Sequence, residues 1–274
     1  MRRLFLFLLL FNTLACAPFA MEVNYTNLGL LSPAKQGKIE NWVQHGIQST
    51  FSTLGPLKQQ TLPVTLKPRY FAFEPVPWAS VKRGKVDGIE LHFDRYASLK
   101  VLIKDWSLYH ELAHLYHPLF DYDNFWLSEG LATYLQNIIM LDNGIINHKE
   151  FISRLRAGLE RGALQTSTIK GPLNVISENM WSLNAQQRVY WSGVAFFVEA
   201  ELALKAQTTP YNSISKLINA YQRCCKKSNH SARQFILELD KLSRSVIFSN
   251  LYSRYSQRTT FPLINEQQLI QLRF

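Results

Sequence analysis

Cysteine is nearly missing from this chain. Of 274 residues only three are Cys: Cys16, Cys224 and Cys225. So few thiols exclude a disulfide framework and a cysteine-built structural zinc site, which both need more sulfur ligands than this. Cys224 and Cys225 are neighbours, and adjacent Cα atoms lie ~3.8 Å apart, below the ~4.4 Å at which disulfides usually begin. A bridge between them is expected to be strained, so packing has to hold the fold together. Long apolar runs are also absent. No stretch reaches roughly 18 apolar residues, which excludes a membrane-spanning helix. Charged residues make up only 18% and aromatics 13%, against 47% apolar. That balance excludes a disordered or coiled-coil chain, because such chains lack the apolar surface to offset ordering entropy. Acidic residues are in the minority, 20 against 30 Lys and Arg.

What is present begins with a leader. Arg2 and Arg3 precede an unbroken apolar run from Leu4 to Phe11, and small residues follow at Ala15, Ala17 and Ala20. This is the pattern of an export signal over residues 1–20, so the folded chain is expected to begin near Met21. Thr13-Leu14-Ala15-Cys16 also resembles a bacterial lipobox with Cys16 as the lipidated residue. The expected location is the periplasm or cell envelope, as a soluble product or one lipid-anchored at Cys16. Without Arg2 and Arg3, 28 of the 30 basic residues remain against 20 acidic ones. For an exported protein such a surplus favours anionic envelope surfaces over nucleic acid. Much of it, including Lys216, Arg223, Lys226, Lys227, Arg233, Lys241 and Arg244, sits at helical spacing and reads as the wet side of helices.

The patterning predicts an α+β protein. Apolar residues Ile39, Trp42, Val43, Ile47 and Phe51 predict a helix over 33–54, ended by Gly55-Pro56. Leu62 to Phe73 and Val86 to Phe93 alternate and predict strands of a small sheet. Beyond Ser98 the periodicity turns helical over 98–117, 127–142, 147–163, 185–207, 212–226 and 231–256. A single catalytic domain over 21–274 is expected, with a sheet-bearing part to about 97 and a helical part from about 98.

One segment carries chemistry. Tyr109-His110-Glu111-Leu112-Ala113-His114 contains HExxH. Helix positions four apart differ by ~40° and ~6 Å of rise, so both imidazoles leave one face and can share a metal. Glu111 follows the first imidazole and is placed to act as general base on a water. A shuffled chain of this composition would contain the motif with a probability of roughly one in a hundred. A third ligand comes from Glu129, fifteen residues past His114, on the helix that begins at Trp126-Leu127. Two His and one Glu leave a fourth zinc position open, as catalytic sites require. His117 lies ~60° off the face that carries His114 and is not expected to be a ligand.

HELAH followed by WLSEGLATY resembles the gluzincin metallopeptidases, particularly aminopeptidase N-like and glycyl aminopeptidase-like enzymes of the peptidase MA-like group. The resemblance implies a thermolysin-like catalytic domain and one Zn2+ held by His110, His114 and Glu129, with Glu111 as base. Tyr190-Trp191-Ser192-Gly193 resembles the family's Tyr-x-x-Gly, which implies Tyr190 as the donor to the tetrahedral intermediate. Gly88-Ile89-Glu90-Leu91-His92 is a loose counterpart of the family's Gly-x-x-Glu-Asn strand. It leaves Glu90 either as an anchor for a peptide amine or as a polar residue on a strand edge. The expected activity is zinc-dependent peptide-bond hydrolysis on a peptide or protein substrate. The competing expectation is a non-catalytic envelope protein that binds a peptide or partner along its sheet edge. Glu111 speaks for the enzyme, since a binding scaffold needs no base between two ligands.

Overall fold

The computed structural model describes residues 21–207 and 210–272. The expected leader, with Cys16, lies outside them. Four strands form one sheet in the order β1-β2-β4-β3. β1 (Glu22–Thr26) runs parallel to β2 (Thr61–Arg69), and β2 runs parallel to β4 (Gly88–Asp94). β3 (Trp78–Lys82) pairs antiparallel with β4, Ser80 opposite Glu90, and forms the sheet's edge. The alternation read in the sequence is that of the buried face: Leu62, Val64 and Leu66 on β2, and Ile89, Leu91 and Phe93 on β4, all point into the core. The strands β1 and β3 escape the sequence reading. Both are five residues long and lie at the sheet's two edges, where burial alternates weakly.

Helix α1 (Pro33–Leu54) precedes β2; Pro33 opens it, and Gly55 at φ 77° ends it. The region predicted as one helix over 98–117 is broken. It forms α2 (Leu99–Lys104) and α3 (Ser107–His114), because Asp105 turns extended and its Oδ1 accepts from the Ser107 N–H at 2.8 Å. There follow α4 (Phe125–Asp142), α5 (His148–Thr168), a short α6 (Leu173–Glu178) and α7 (Gln186–Ala206). After α8 (Ile214–Cys224), the region predicted as one helix over 231–256 is also two. Arg244 at φ 52° separates α9 (Ala232–Ser243) from α10 (Ile247–Ser256). The Asp240 carboxylate accepts from the N–H groups of Phe248 and Ser249 and so caps α10. A last short helix, α11 (Glu266–Ile270), packs on α5. Among the described residues no helix is long and apolar enough to cross a membrane.

The centre of the helical part is α4, buried at every residue from Trp126 to Met140. It crosses α7 at two glycines. A Cβ built on Gly130 would lie 2.3 Å from the Gly193 Cα, and one on Gly193 would lie 2.0 Å from the Trp126 carbonyl oxygen. Neither fits, so the backbones touch only because both residues lack side chains. Cys224 and Cys225 are bonded to each other at the end of α8. The bond joins adjacent residues, so it ties no two elements together, and packing still holds the fold.

Candidate active site

His110 and His114 lie on α3, one turn apart and both buried; Glu129 reaches them from the second turn of α4. The Nε2 atoms of the two histidines are 3.1 Å apart, and Glu129 brings Oε2 to 3.1 Å from His110 Nε2 and Oε1 to 3.5 Å from His114 Nε2. Among the described residues these three form the group whose ligand atoms all lie within 4.8 Å of one another.

The outer nitrogens decide what those inner atoms are. His117 Nδ1 lies 2.7 Å from the Pro118 carbonyl, which can only accept, so that nitrogen carries the proton. The other ring nitrogen, Nε2, therefore accepts, and it lies 3.1 Å from His114 Nδ1, which donates. On the other ligand, His110 Nδ1 lies 2.8 Å from Gln136 Oε1 and donates to it. Both Nε2 atoms thus present lone pairs, facing each other and a carboxylate. Three acceptors packed this closely repel unless a cation sits among them. A divalent zinc suits an imidazole, imidazole and carboxylate donor set of this kind. The same attraction for positive charge shows in the titration of the cluster, where a proton takes the place of a cation. Burial raises the Glu129 carboxyl, but the charge of His114 and the bonds from both histidines outweigh it and pull its pKa far below the ordinary range. Burial lowers His110, yet bonding to Glu129 and the Glu129 and Glu111 charges leave it raised. His117 is held well below its usual value by burial and by the charges of His114 and Arg83, so it stays neutral.

Glu111 sits on the same helix, buried and beside β3. Burial raises its pKa, while the charges of His110 and His114 and a bond from the Val81 N–H oppose the rise. Tyr190, in the second turn of α7, lays its ring on His110 with centroids 6.2 Å apart and planes 11° off parallel. Burial, followed by the charges of Glu129 and Glu111, holds its phenol well above the usual pKa. It therefore remains a hydrogen-bond donor. These groups line one open cleft, together with the β3 edge from Trp78 to Val81, Trp106 of the α2–α3 break, and Trp181.

Other predicted residues lie elsewhere. Glu90 belongs to β4 and is engaged with His92 at 2.9 Å and Lys82 at 3.7 Å; the cleft wall is β3 instead. The pattern also misread Lys226, which is no part of a wet helix face. Its Nζ donates to the Leu115 carbonyl at 2.5 Å, and Arg83 donates to the His114 carbonyl at 2.7 Å. Two cations thus meet the carbonyl end of the HExxH helix, with Asp87 bonded to Arg83 at 2.8 Å. Burial and the neighbouring Arg83 bring the Lys226 ammonium down to about 8. Arg83 and Lys226 lack any local sequence signal, since they lie 31 and 111 residues from the carbonyls they meet.

No family model and no curated protein matches the sequence. Solved structures do match. An M1 zinc metallopeptidase from Deinococcus radiodurans superposes with a TM-score of 0.52 at 17% identity, over 88% of this chain and 48% of that one. An aminopeptidase N family protein from Idiomarina loihiensis gives 0.63 at 15% identity, over 86% and 44%. Native yeast LTA4 hydrolase gives 0.59 at 16% identity, over 91% and 40%. The fold is similar to part of these zinc metallopeptidase structures. The likeness is one of fold, and the chain spans less than half the length of these structures. The mixed α/β architecture with a small sheet agrees with the α+β expectation.

Proposed function

We propose that the protein is a zinc-dependent peptidase of gluzincin type that hydrolyses peptide bonds in an exported compartment. The observation that carries the reading is the acceptor cluster of His110, His114 and Glu129 with Glu111 beside it, opening on an unpaired strand edge. When bound there, zinc supplies Lewis acidity for the scissile carbonyl and brings the pKa of water toward neutrality. The β3 edge offers backbone groups from Trp78 to Ser80, on which an extended peptide can lie as an added strand, while the Val81 N–H is held by Glu111. Glu111 accepts a proton from the attacking water and returns it to the departing amine. Tyr190 donates to the oxygen that gains negative charge.

Zinc content and turnover of a mixed peptide library, compared between the natural protein and Glu111→Gln, test the reading. The variant should retain its metal and lose turnover by roughly 10²–10⁴-fold, the usual share of a general base. Equal turnover in both would overturn it. Export is proposed from the leader pattern, and intact-mass measurement of the mature chain reads its fate. A start at Met21 means a soluble product, a lipid on Cys16 means an anchored one, and a retained leader refutes both.

A further inference from the structure

Beside the cleft lies a second cavity of about 500 Å³, within the range of sites that take small ligands. It shares Trp106 and Tyr190 with the cleft, so these two side chains form a common wall. The rest of its lining comes from α4, α5 and the start of α7. Three features make it unlike an ordinary surface hollow.

The first is charge. Arg154 and Arg161 line it against a single carboxylate, Glu150. Glu150 is taken by Arg154, at 2.7 Å. Arg161 has no carboxylate partner among the described residues. Its Nε donates to Gln187 Oε1 at 2.9 Å, and its guanidinium lies over the Trp191 ring at 5.3 Å. Gln187 also accepts from the Trp191 indole, at 3.1 Å, so the guanidinium is held in place with its terminal nitrogens available. A guanidinium fixed in this way is suited to a planar, two-oxygen anion.

The second is an orphan acceptor. Asn137 is buried, and its Nδ2 donates to the Thr133 carbonyl at 2.8 Å. That bond fixes the orientation of the amide. Its Oδ1, buried as well, has no partner. An unpaired buried acceptor costs about 1–3 kcal/mol, and a ligand N–H would relieve it.

The third is a link to the metal ligands. Gln136 gives its Oε1 to His110 Nδ1, and the same side chain lines this cavity. Its Nε2 has no protein partner among the described residues and can meet a ligand's acceptor oxygen.

We propose that this cavity is a carboxylate-binding extension of the peptide cleft, which takes an acidic side chain or the free C-terminus of the bound peptide. Arg161, with Arg154, grips the carboxylate. Asn137 Oδ1 accepts a peptide N–H, and the aromatic wall of Trp106, Tyr190 and Trp191 covers the intervening apolar atoms. A peptide presents a donor and a carboxylate together, which a simple anion does not. The proposal rests on the peptidase reading for the substrate's class, but its binding step is separable from catalysis.

The test uses Glu111→Gln protein with zinc bound, titrated calorimetrically with four peptides of one sequence. These carry Glu or Gln near one end, each with a free or an amidated C-terminus. The carboxylate forms should bind roughly 10- to 100-fold tighter than their neutral partners, the range of a charge-assisted pair. The discrimination should fall to within about twofold in Arg161→Gln and shrink in Arg154→Gln. Which peptide pair discriminates identifies the source of the carboxylate. Equal binding of acid and amide forms overturns the extension, whether or not the natural protein turns peptides over. Discrimination without turnover in the natural protein upholds the carboxylate site and overturns the peptidase. Absence of any peptide binding overturns both.

Discussion

His117 Nε2 lies 3.1 Å from His114 Nδ1, and this contact sets which nitrogen of His114 faces His110 and Glu129. Gln136 does the same for His110 at 2.8 Å. Neither residue touches the metal position, yet each fixes the tautomer and ring orientation of a ligand. His117→Ala and Gln136→Leu should therefore fold and still bind zinc, with affinity lowered roughly 10- to 100-fold. Competition with a chelator of known affinity measures this. Unchanged affinity in His117→Ala would remove the orienting role.

His110→Ala, His114→Ala and Glu129→Ala should each lose most of the zinc, because each removes one of three protein ligands. Metal analysis of the purified variants reads the result. Full zinc in Glu129→Ala would mean that the third ligand lies elsewhere.

Tyr190→Phe keeps the ring that stacks on His110 and removes only the donor. Turnover should fall by roughly 10²–10³, the cost of one oxyanion donor. The Michaelis constant should change far less, since the bond strengthens mainly in the transition state. Steady-state kinetics on one peptide decides it. Near-normal turnover would reduce Tyr190 to packing, and no understudy stands by: Tyr134 is buried in the core against Phe197, and His92 is tied to Glu90 and Arg69.

Glu201 gives a pH dependence far from the metal. Buried on α7, it accepts from the Ile214 N–H, and burial pushes its carboxyl up to about 7. Lys205 at 3.8 Å and Tyr134 oppose the rise, and Asp142 adds to it. Because the folded value is raised, the folded chain keeps a proton that the unfolded chain releases near 4.5. Stability should therefore fall as pH rises from about 4.5 to 7 and then level off, a total of about 3 kcal/mol. Glu201→Gln keeps an acceptor for Ile214 and has no proton to lose. Urea midpoints at pH 5 and pH 8 should differ less in the variant than in the natural protein. The same difference in both would assign the effect to other groups.

The group proposed to hold zinc was legible because its chemistry is local. HExxH is a spacing within one helix, and Glu129 stands out once a third ligand is sought on the next. The helices were legible wherever one apolar stripe ran without interruption, as in α1 and α7. Elsewhere the signal was lost to single polar residues. Asp105 breaks one apolar pattern and Asp240 caps a helix inside another, each with a side-chain bond that periodicity does not register. Position relative to a helix face set His117 apart from His110 and His114, and it lies outside the cluster they form with Glu129. It did not anticipate the turn after His114 that carries the ring back to His114. Arg83, Lys226 and the arginine-lined cavity bring together residues far apart in sequence, so only the folded chain reveals them.

The contact between Gly130 and Gly193 has a genetic consequence. Glu129 precedes the first glycine by one residue, and Tyr190 precedes the second by three. Any side chain at either glycine wedges α4 from α7 and so moves Glu129, proposed to hold zinc, away from the residue proposed to serve the oxyanion. A screen for inactive alleles would return both glycines beside the histidines, although neither has a functional group to lose. Their phenotype would be one of distance. A compensating allele would have to remove bulk on the facing helix; no alternative acid or base could rescue it.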